Sequence, residues 1–424
     1  MFILAQHSAL TGSVDIPGSK SHTIRGVMFA ALADGRSTLQ KPLDSLDTRA
    51  ALDAAHALGA QIQTGDAWTI DGFAGHPHPP GQIIDVHNSG TTLNVALGLA
   101  ALADGHSVFT GDQQIRRRPA GPLLDALTAL GAEAFSTRGN GCPPIVVGGT
   151  LTGGQCELQA TSSQYLTSLL ISAPAALGDT HIRVTELNEA PYVHMTLDWL
   201  DRLGITCEHD PDLRRFSVPG GQTYPAFNRQ IPADFSSATF FLCAAAVTGG
   251  PVTLRGLDLD DTQGDKAVVD MLRQMGARIE QQDGDLVVSA DSLTGAELDL
   301  NATPDALPAL AVAACFAQGE TRLLNVPQAR IKETDRIAVM HQELLKMGGR
   351  TTELEDGLVI QGAPLHGAEV NGHHDHRVVM ALAVAAMGAT GTTRIDTAQA
   401  AAVTFPNFVD LMQNLGAHIE TADS

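Results

Sequence analysis

The chain is short of cations and of aromatic rings. Its 424 residues carry 26 lysines and arginines against 47 aspartates and glutamates, for a formal net charge of −21. That sign argues against a nucleic acid or an anionic membrane as partner. Aromatic residues make up 4% of the chain, with two tryptophans, so the core must be alanine, leucine and valine packed closely around 42 glycines. Cysteine is sparse as well. Cys142, Cys156, Cys207, Cys243 and Cys315 are scattered, odd in number and without a CxxC pair. A disulfide framework or a structural zinc site is therefore not expected. The opening MFILAQHSALTG has no basic region and too short an apolar run for a secretion signal, and no apolar run reaches transmembrane length. These absences read as a soluble, cytoplasmic protein of a reducing compartment, with no membrane partner and no metal. Lysine occurs only at positions 20, 41, 266, 332 and 346, so where the few cations fall carries information.

What the chain has is repetition. A Leu/Met-Gly step recurs at Gly59, Gly131, Gly204, Gly276, Gly348 and Gly416, with spacings of 72, 73, 72, 72 and 68 residues. About 40 to 45 residues before most of these lies a polar-tipped, mostly apolar segment of helical period. The six cover residues 18–35, 88–105, 161–179, 234–250, 303–319 and 373–389. Each is followed by a short strand-like run, then an amphipathic helix ending at the Leu/Met-Gly, then further strands such as PIVVGG and LVIQGA. The first helix of each unit is apolar on nearly all sides and should be buried; the second should lie outside. One unit cannot bury such a helix alone, so several must pack together. Six units fit two α/β domains of three. Residues 19–231 form one, and residues 1–18 with 232–424 form the other, the N-terminal strand FILAQ completing it.

Helix starts expose free N–H groups and a positive dipole end, which suit anions. Three parallel buried helices per domain, with the two sets of tips opposed, would place six such ends around one cleft. The tips carry Lys20, Ser21 and Arg25; Asn88, Ser89, Gly90 and Thr91; Ser162, Ser163 and Gln164; Asp234, Ser236 and Ser237; Asp305; and His374, Asp375, His376 and Arg377. Any one serine or aspartate is an ordinary N-cap. Polarity at all six equivalent positions points to a ligand. Two loops add cations at equivalent repeat positions: Arg116, Arg117 and Arg118 in one, and Arg330, Lys332, Glu333, Asp335 and Arg336 in the other. If the second loop opens a helix, Lys332 and Arg336 share a face with Glu333 beside them.

In order, PGSKSHTIR, NSGTT, RRRP, SSQYLTSLL, PYVHMTLDWL, IKETDRI, HDHR and TFPNF resemble the signature segments of the EPSP synthase (3-phosphoshikimate 1-carboxyvinyltransferase) family, over essentially the whole chain. The combination of GSKS, KETDR and DHR is what makes the resemblance specific. It implies two similar domains, each of three βαβαββ repeats around buried parallel helices, an inside-out α/β barrel. It implies transfer of the enolpyruvyl group of phosphoenolpyruvate to the 5-hydroxyl of shikimate 3-phosphate by addition and elimination between two closing domains, releasing phosphate, in a monomer without a cofactor. By motif position, Lys20, Ser21, Arg25, Ser162, Ser163, Gln164, Tyr192, Asp305, Gln328 and Lys332 resemble shikimate 3-phosphate contacts. Lys20, Gly90, Arg118, Gln164, Arg336, His376 and Arg377 resemble the phosphoenolpyruvate clamp. The catalytic residues implied are Lys20, Asp305, which would take the hydroxyl proton, and Glu333, which would handle the proton on the methylene carbon.

Four positions depart from the family pattern. Asn94 stands where most members carry an arginine, Val403 where many carry a lysine, Glu189 at a serine position and Gln328 at an asparagine position. Two cations are thereby lost, with Arg116 or Arg117 as candidate replacements, and a glutamate stands near a substrate phosphate. The competing readings are a related carboxyvinyltransferase acting on another hydroxylated acceptor, and a phosphometabolite-binding relative without turnover. The retained Lys20, Asp305 and Glu333 speak against the second.

Overall fold

The structure is a computed structural model that describes residues 1–423. It divides into two units: Gly18–Ile231, and Met1–Pro17 together with the chain from Pro232 onward. Among the described residues, twelve α-helices alternate between two kinds. In the unit from Gly18 they are α1 (Lys20–Leu32), α2 (Leu46–Ala57), α3 (Gly90–Ala100), α4 (Gly121–Ala129), α5 (Ser163–Ser172) and α6 (Ala190–Arg202). In the other they are α7 (Phe235–Thr248), α8 (Val268–Gln274), α9 (Leu307–Cys315), α10 (Arg336–Lys346), α11 (His376–Gly388) and α12 (Phe408–Asn414).

The odd-numbered helices are buried almost along their full length, as their all-round apolar sequences require. The even-numbered helices bury one face and end alike. Leu58, Leu130, Leu203, Met275, Met347 and Leu415 are the last residues of their helices' C-terminal turns and are buried. The glycine after each is left-handed, with φ between 69° and 117°. That is the C′ position at which a Cβ is costly, and it explains the recurring Leu/Met-Gly step.

Each repeat builds a four-stranded sheet of one pattern. Ile84–Asp85 runs parallel to His106–Thr110, joined through α3, and His106–Thr110 pairs antiparallel with Ile145–Gly148, which pairs with Glu133–Ser136. A parallel pair needs a crossover, and that crossover is the buried helix. This is the βαβαββ unit, and the α/β repeat architecture read from the sequence is the one observed. Two sheets borrow their leading strand. Asn228–Gln230 lies parallel to Arg36–Gln40 with Asn228 opposite Thr38, and Gly12–Asp15 lies parallel to Val252–Arg255 with Gly12 opposite Val252. Phe2–Gln6 sits antiparallel between Thr392–Asp396 and Ile419–Ala422.

Two corrections concern helix boundaries. The opening helix stops at Leu32, with Ala33 as its cap, and not at Gly35, whose φ of 114° instead turns the chain into the next strand. Lys332 and Arg336 do not share a helix face. A 3-10 turn, Pro327–Ile331, is followed by extended backbone at Lys332, and α10 begins only at Arg336, capped by Asp335. Asp335 accepts from the Ala338 N–H at 3.0 Å, and a capping carboxylate there fixes the start of the helix.

Each unit has its own core, dominated by small aliphatic residues. Small size permits close helix contact. A Cβ on Gly98 of α3 would lie 2.6 Å from Ser168 Oγ and 2.9 Å from the Ser168 carbonyl oxygen of α5. Gly204, with a φ of 69°, has nothing within 4 Å. Gly98→Val is therefore expected to cost about 1–3 kcal/mol by overpacking, or more, and Gly204→Ala about 1 kcal/mol by backbone strain alone. Urea midpoints of the two variants check the order; a Gly204→Ala loss equal to that of Gly98→Val would contradict it.

Candidate active site

In the unit from Gly18, the tip of α1 is set by Ser19, whose side chain accepts from the His22 N–H. Lys20 opens the helix, and its Nζ lies 3.1 Å from Asp47 Oδ2 in the first turn of α2. Asp47 was not visible as a site residue in the sequence, where it reads as an ordinary first-turn acid. His22 Nδ1 accepts from the Trp199 indole at 3.0 Å, which ties α1 to α6 and leaves that nitrogen unprotonated, because indole only donates.

Arg25 is 1% exposed. Its Nε donates to Thr196 Oγ1 at 3.0 Å, and its terminal nitrogens donate to the Ser21 and Tyr192 carbonyls and to Thr167 Oγ1 at 3.0–3.2 Å. None of these partners is an anion. Burial pushes its pKa down to about 10, with Tyr192 working in the opposite sense. A buried cation held only by neutral oxygens keeps its capacity for an anionic ligand.

At the tip of α5, Ser162 accepts from the Gln164 N–H at 3.4 Å. Ser163 is committed elsewhere: its N–H and hydroxyl both donate to Glu189 Oε2, at 3.2 and 2.7 Å. Gln164 bridges to the tip of α3, donating to Thr91 Oγ1 at 3.1 Å and accepting from Asn94 Nδ2 at 2.8 Å. Asn94 also donates to the Gly90 carbonyl, while its Oδ1 is buried without a hydrogen-bond partner. The Arg118 guanidinium lies against Gly90, where a Cβ would meet it at 2.5 Å and the arginine would have to shift. Arg116 and Arg117 are exposed, and Arg116 donates to the Gly111 carbonyl at 2.8 Å.

In the other unit the charges are concentrated around Arg336, which is 1% exposed. It reaches three carboxylates: Asp375 Oδ2 from Nε at 2.8 Å, Asp305 Oδ1 from Nη1 at 2.7 Å and Glu333 Oε2 from Nη2 at 2.6 Å. Burial works against the Arg336 charge, but Asp375, Glu333 and Asp305 outweigh it and raise its pKa. Asp375 caps α11 through the Arg377 N–H and accepts from Thr334 Oγ1 at 3.0 Å. Burial opposes its ionisation, and Arg336 more than offsets this, holding the carboxyl below its usual range. Arg377 Nη2 lies 2.9 Å from Asp305 Oδ2, so Asp305 is clamped between two guanidinia.

Arg377 also donates to Ser236 Oγ at 3.3 Å, and Ser236 hydrogen-bonds Asp265. Asp265 is a second residue missed from the sequence. It lies in the 3-10 turn Gly264–Ala267, in the repeat position of the arginine-rich loop, and the only sequence signal was that equivalence. Burial, and then the charge of Asp305, raise its pKa to about 6 against the pull of Arg377. His376 is buried with Nδ1 3.9 Å from Asp375 Oδ1. Gln328 donates to the Asn301 carbonyl at 3.0 Å, and Lys332 is part-exposed in the turn before α10. Val403 ends the 3-10 turn Ala398–Val403.

The structure thus brings Asp305, Glu333, Arg336 and Arg377 together within one unit, and Gly90, Gln164 and Asn94 together within the other. No cluster of three or more His, Cys, Asp or Glu able to hold a metal occurs among the described residues. No helix among them is long and apolar enough to cross a membrane. A cavity of about 880 Å³ lies elsewhere, against the sheet containing Gly154–Ala160 and Thr180–Leu187, lined by Glu157, His181, Arg183 and Arg215 among others. It includes none of the candidate site residues named above.

The family model for EPSP synthase (3-phosphoshikimate 1-carboxyvinyltransferase) matches residues 4–412. A protein of Acetivibrio thermocellus named 3-phosphoshikimate 1-carboxyvinyltransferase is 54% identical over 424 residues, spanning 100% of each chain. One of Methanothrix thermoacetophila with the same name is 46% identical, again over 100% of each chain. A solved EPSP synthase structure from Acinetobacter baumannii superposes with a TM-score of 0.82 at 29% identity, over 100% of both chains. With a match running through both units, the chain belongs to the EPSP synthase family.

Proposed function

We propose that the chain transfers the enolpyruvyl group of phosphoenolpyruvate to the 5-hydroxyl of shikimate 3-phosphate, releasing phosphate. The observation that carries this reading, beyond family membership, is the pair of carboxylates on one buried guanidinium. Asp305 and Glu333 sit on its two terminal nitrogens, at 2.7 and 2.6 Å. The reaction needs two proton handlers close together: an acid at the methylene carbon and a base at the attacking hydroxyl. Glu333 gives a proton to the methylene carbon while Asp305 takes one from the 5-hydroxyl, and the new C–O bond forms at the cationic carbon. Elimination then returns the methyl proton to Glu333 as the C–O bond to phosphate breaks, and the proton held by Asp305 leaves with the phosphate.

The guanidinium also supplies a switch. Arg336 and Arg377 are the forks assigned to the phosphoenolpyruvate carboxylate and phosphate, with Lys20, Arg118, Gln164, His376 and the Gly90 backbone. Without ligand, Arg336 holds Glu333 and Asp305. A substrate carboxylate that takes up Arg336 displaces them, and a carboxylate freed from a buried cation holds a proton more readily. Ser21, Arg25, Ser162, Ser163, Gln164, Tyr192, Gln328 and Lys332 are assigned to shikimate 3-phosphate, and the cation of Arg25 among neutral oxygens supports that assignment. A second reading, transfer to another hydroxylated acceptor, draws on Glu189, which occupies the Ser163 donors. The cytoplasm is assigned as the compartment, in keeping with five cysteines that are all free thiols, and the working form is assigned as a monomer that needs no cofactor.

Phosphate release from phosphoenolpyruvate, assayed with shikimate 3-phosphate and with other hydroxylated acceptors, tests the function. Folded protein without turnover on shikimate 3-phosphate would sink it. Glu333→Gln and Asp305→Ala are each expected to lower kcat by roughly 10²–10⁴-fold while calorimetry still detects ligand binding; near-normal rates would remove their assigned roles. Asp265 gives a pH prediction. Its pKa rises on folding from 3.8 to about 6, so its contribution to stability is present below about pH 4 and is lost as pH rises through about 6. Asp265→Asn is therefore expected to raise Tm at pH 7.5, with the gain gone near pH 4. A Tm lowered equally at both pH values would contradict this.

A further inference from the structure

Glu189 is an odd residue for its place. It immediately precedes α6 with a left-handed backbone, φ 58°, and its side chain does not cap that helix. Serine, threonine, aspartate and asparagine are the favoured caps, and a left-handed conformation is unfavourable for a residue with a Cβ. Strain of this kind persists where the surroundings impose it. Here the side chain, 2% exposed, reaches across to α5 and accepts both the N–H and the hydroxyl of Ser163 on one oxygen. Two donors converging on one oxygen at a helix start form an oxyanion seat, reinforced by the helix dipole. Arg25 ties the same two helices together through Thr167 of α5 and the Tyr192 carbonyl and Thr196 of α6, all of them uncharged.

We propose that Glu189 is the specificity-determining residue of the acceptor's phosphate seat. In the ligand-free protein its carboxylate holds the Ser163 donors, and it must give them up before a substrate phosphate can use them. This rests on the reading that shikimate 3-phosphate is the acceptor. Binding of the phosphorylated acceptor is then an exchange of one anion for another. The phosphate gains less than it would beside a short neutral hydroxyl, because Glu189 stays close to it as a like charge. An acceptor with a hydroxyl in place of the phosphate meets no such repulsion and can donate to the carboxylate. Glu189 thus narrows the preference for a phosphorylated over an unphosphorylated acceptor, by repulsion against one and attraction to the other.

The test uses the full chain, with phosphate release measured for the wild type, Glu189→Ser and Glu189→Gln, on shikimate 3-phosphate and on shikimate. Glu189→Ser is expected to lower KM for shikimate 3-phosphate at least tenfold, with KM for phosphoenolpyruvate within twofold. The ratio of kcat/KM for the phosphorylated over the unphosphorylated acceptor should rise at least tenfold. Glu189→Gln keeps an acceptor for the Ser163 donors and loses the charge, so it should shift KM in the same direction even if the serine variant folds poorly. If folded Glu189→Gln shows a KM for shikimate 3-phosphate equal to or above that of the wild type, Glu189 merely joins α5 to α6 and the inference is overturned. A wild type that turns over neither acceptor overturns the acceptor reading itself, which separates the two failures.

Discussion

A guanidinium taken out of water must find either anions or enough neutral acceptors, and the two units solve that problem in opposite ways. Arg25 and Arg336 are each 1% exposed. Arg25 is surrounded by hydroxyls and carbonyls, and burial lowers its pKa. Arg336 holds three carboxylates, and their charges outweigh burial and raise its pKa. Leaving a desolvated charge without partners costs several kcal/mol, so the positions of Thr167, Thr196, Asp305, Glu333 and Asp375 are bound to those two side chains. Much of the polar structure at the helix tips follows from this requirement.

The repeat explains why the guanidinia can be held there at all. Each βαβαββ unit sends one apolar helix into the core and turns its first residues toward the ends of the strands. A buried helix leaves its first N–H groups without backbone partners, so polar residues are required where the apolar face begins. Ser19, Ser89, Ser162, Asp234 and Asp375 meet that need as caps. Once polar side chains are obligatory at those points, adding a cation or a carboxylate one residue further on disturbs the core little. Lys20, directly after Ser19, occupies such a position, and Arg377 lies one residue further still, two past Asp375. The same fold element thus supplies stability along its length and chemistry at its end.

The fold was largely legible because its signals are periodic. Six Leu/Met-Gly steps mark six left-handed C′ glycines, and six all-apolar segments mark six buried helices. Charged side chains at the helix tips were legible where the tips carry unusual types, as at Lys20, Arg25, Asp305 and Arg377. What escaped was partnership. Asp47 reads as a first-turn acid until its carboxylate is seen 3.1 Å from Lys20. Asp265 sits in a turn without a motif, and only tertiary packing brings it to Ser236. Helix starts were misplaced where a 3-10 turn precedes the helix, as before Arg336, because periodicity does not separate a tight turn from a first helical turn.

The acidic composition also acquires a physical meaning from these contacts. A chain of net charge −21 that binds anionic ligands would be expected to keep its few cations open for them. Instead Lys20 is held by Asp47, the α5 start by Glu189, and Arg336 by Asp305, Glu333 and Asp375. Internal carboxylates keep the seats occupied and the cations oriented, so the sites are preorganised without carrying an exposed positive field. Under the proposed assignment, an incoming anion replaces a protein anion, and the net gain is the difference between two interactions and not the whole of one. Affinity is lowered, but selectivity is sharpened, since only a ligand with the geometry to satisfy a buried fork can displace a carboxylate already in place. Asn94 fits the same logic. It donates to Gln164 and to the Gly90 carbonyl and links the α3 and α5 tips without adding charge.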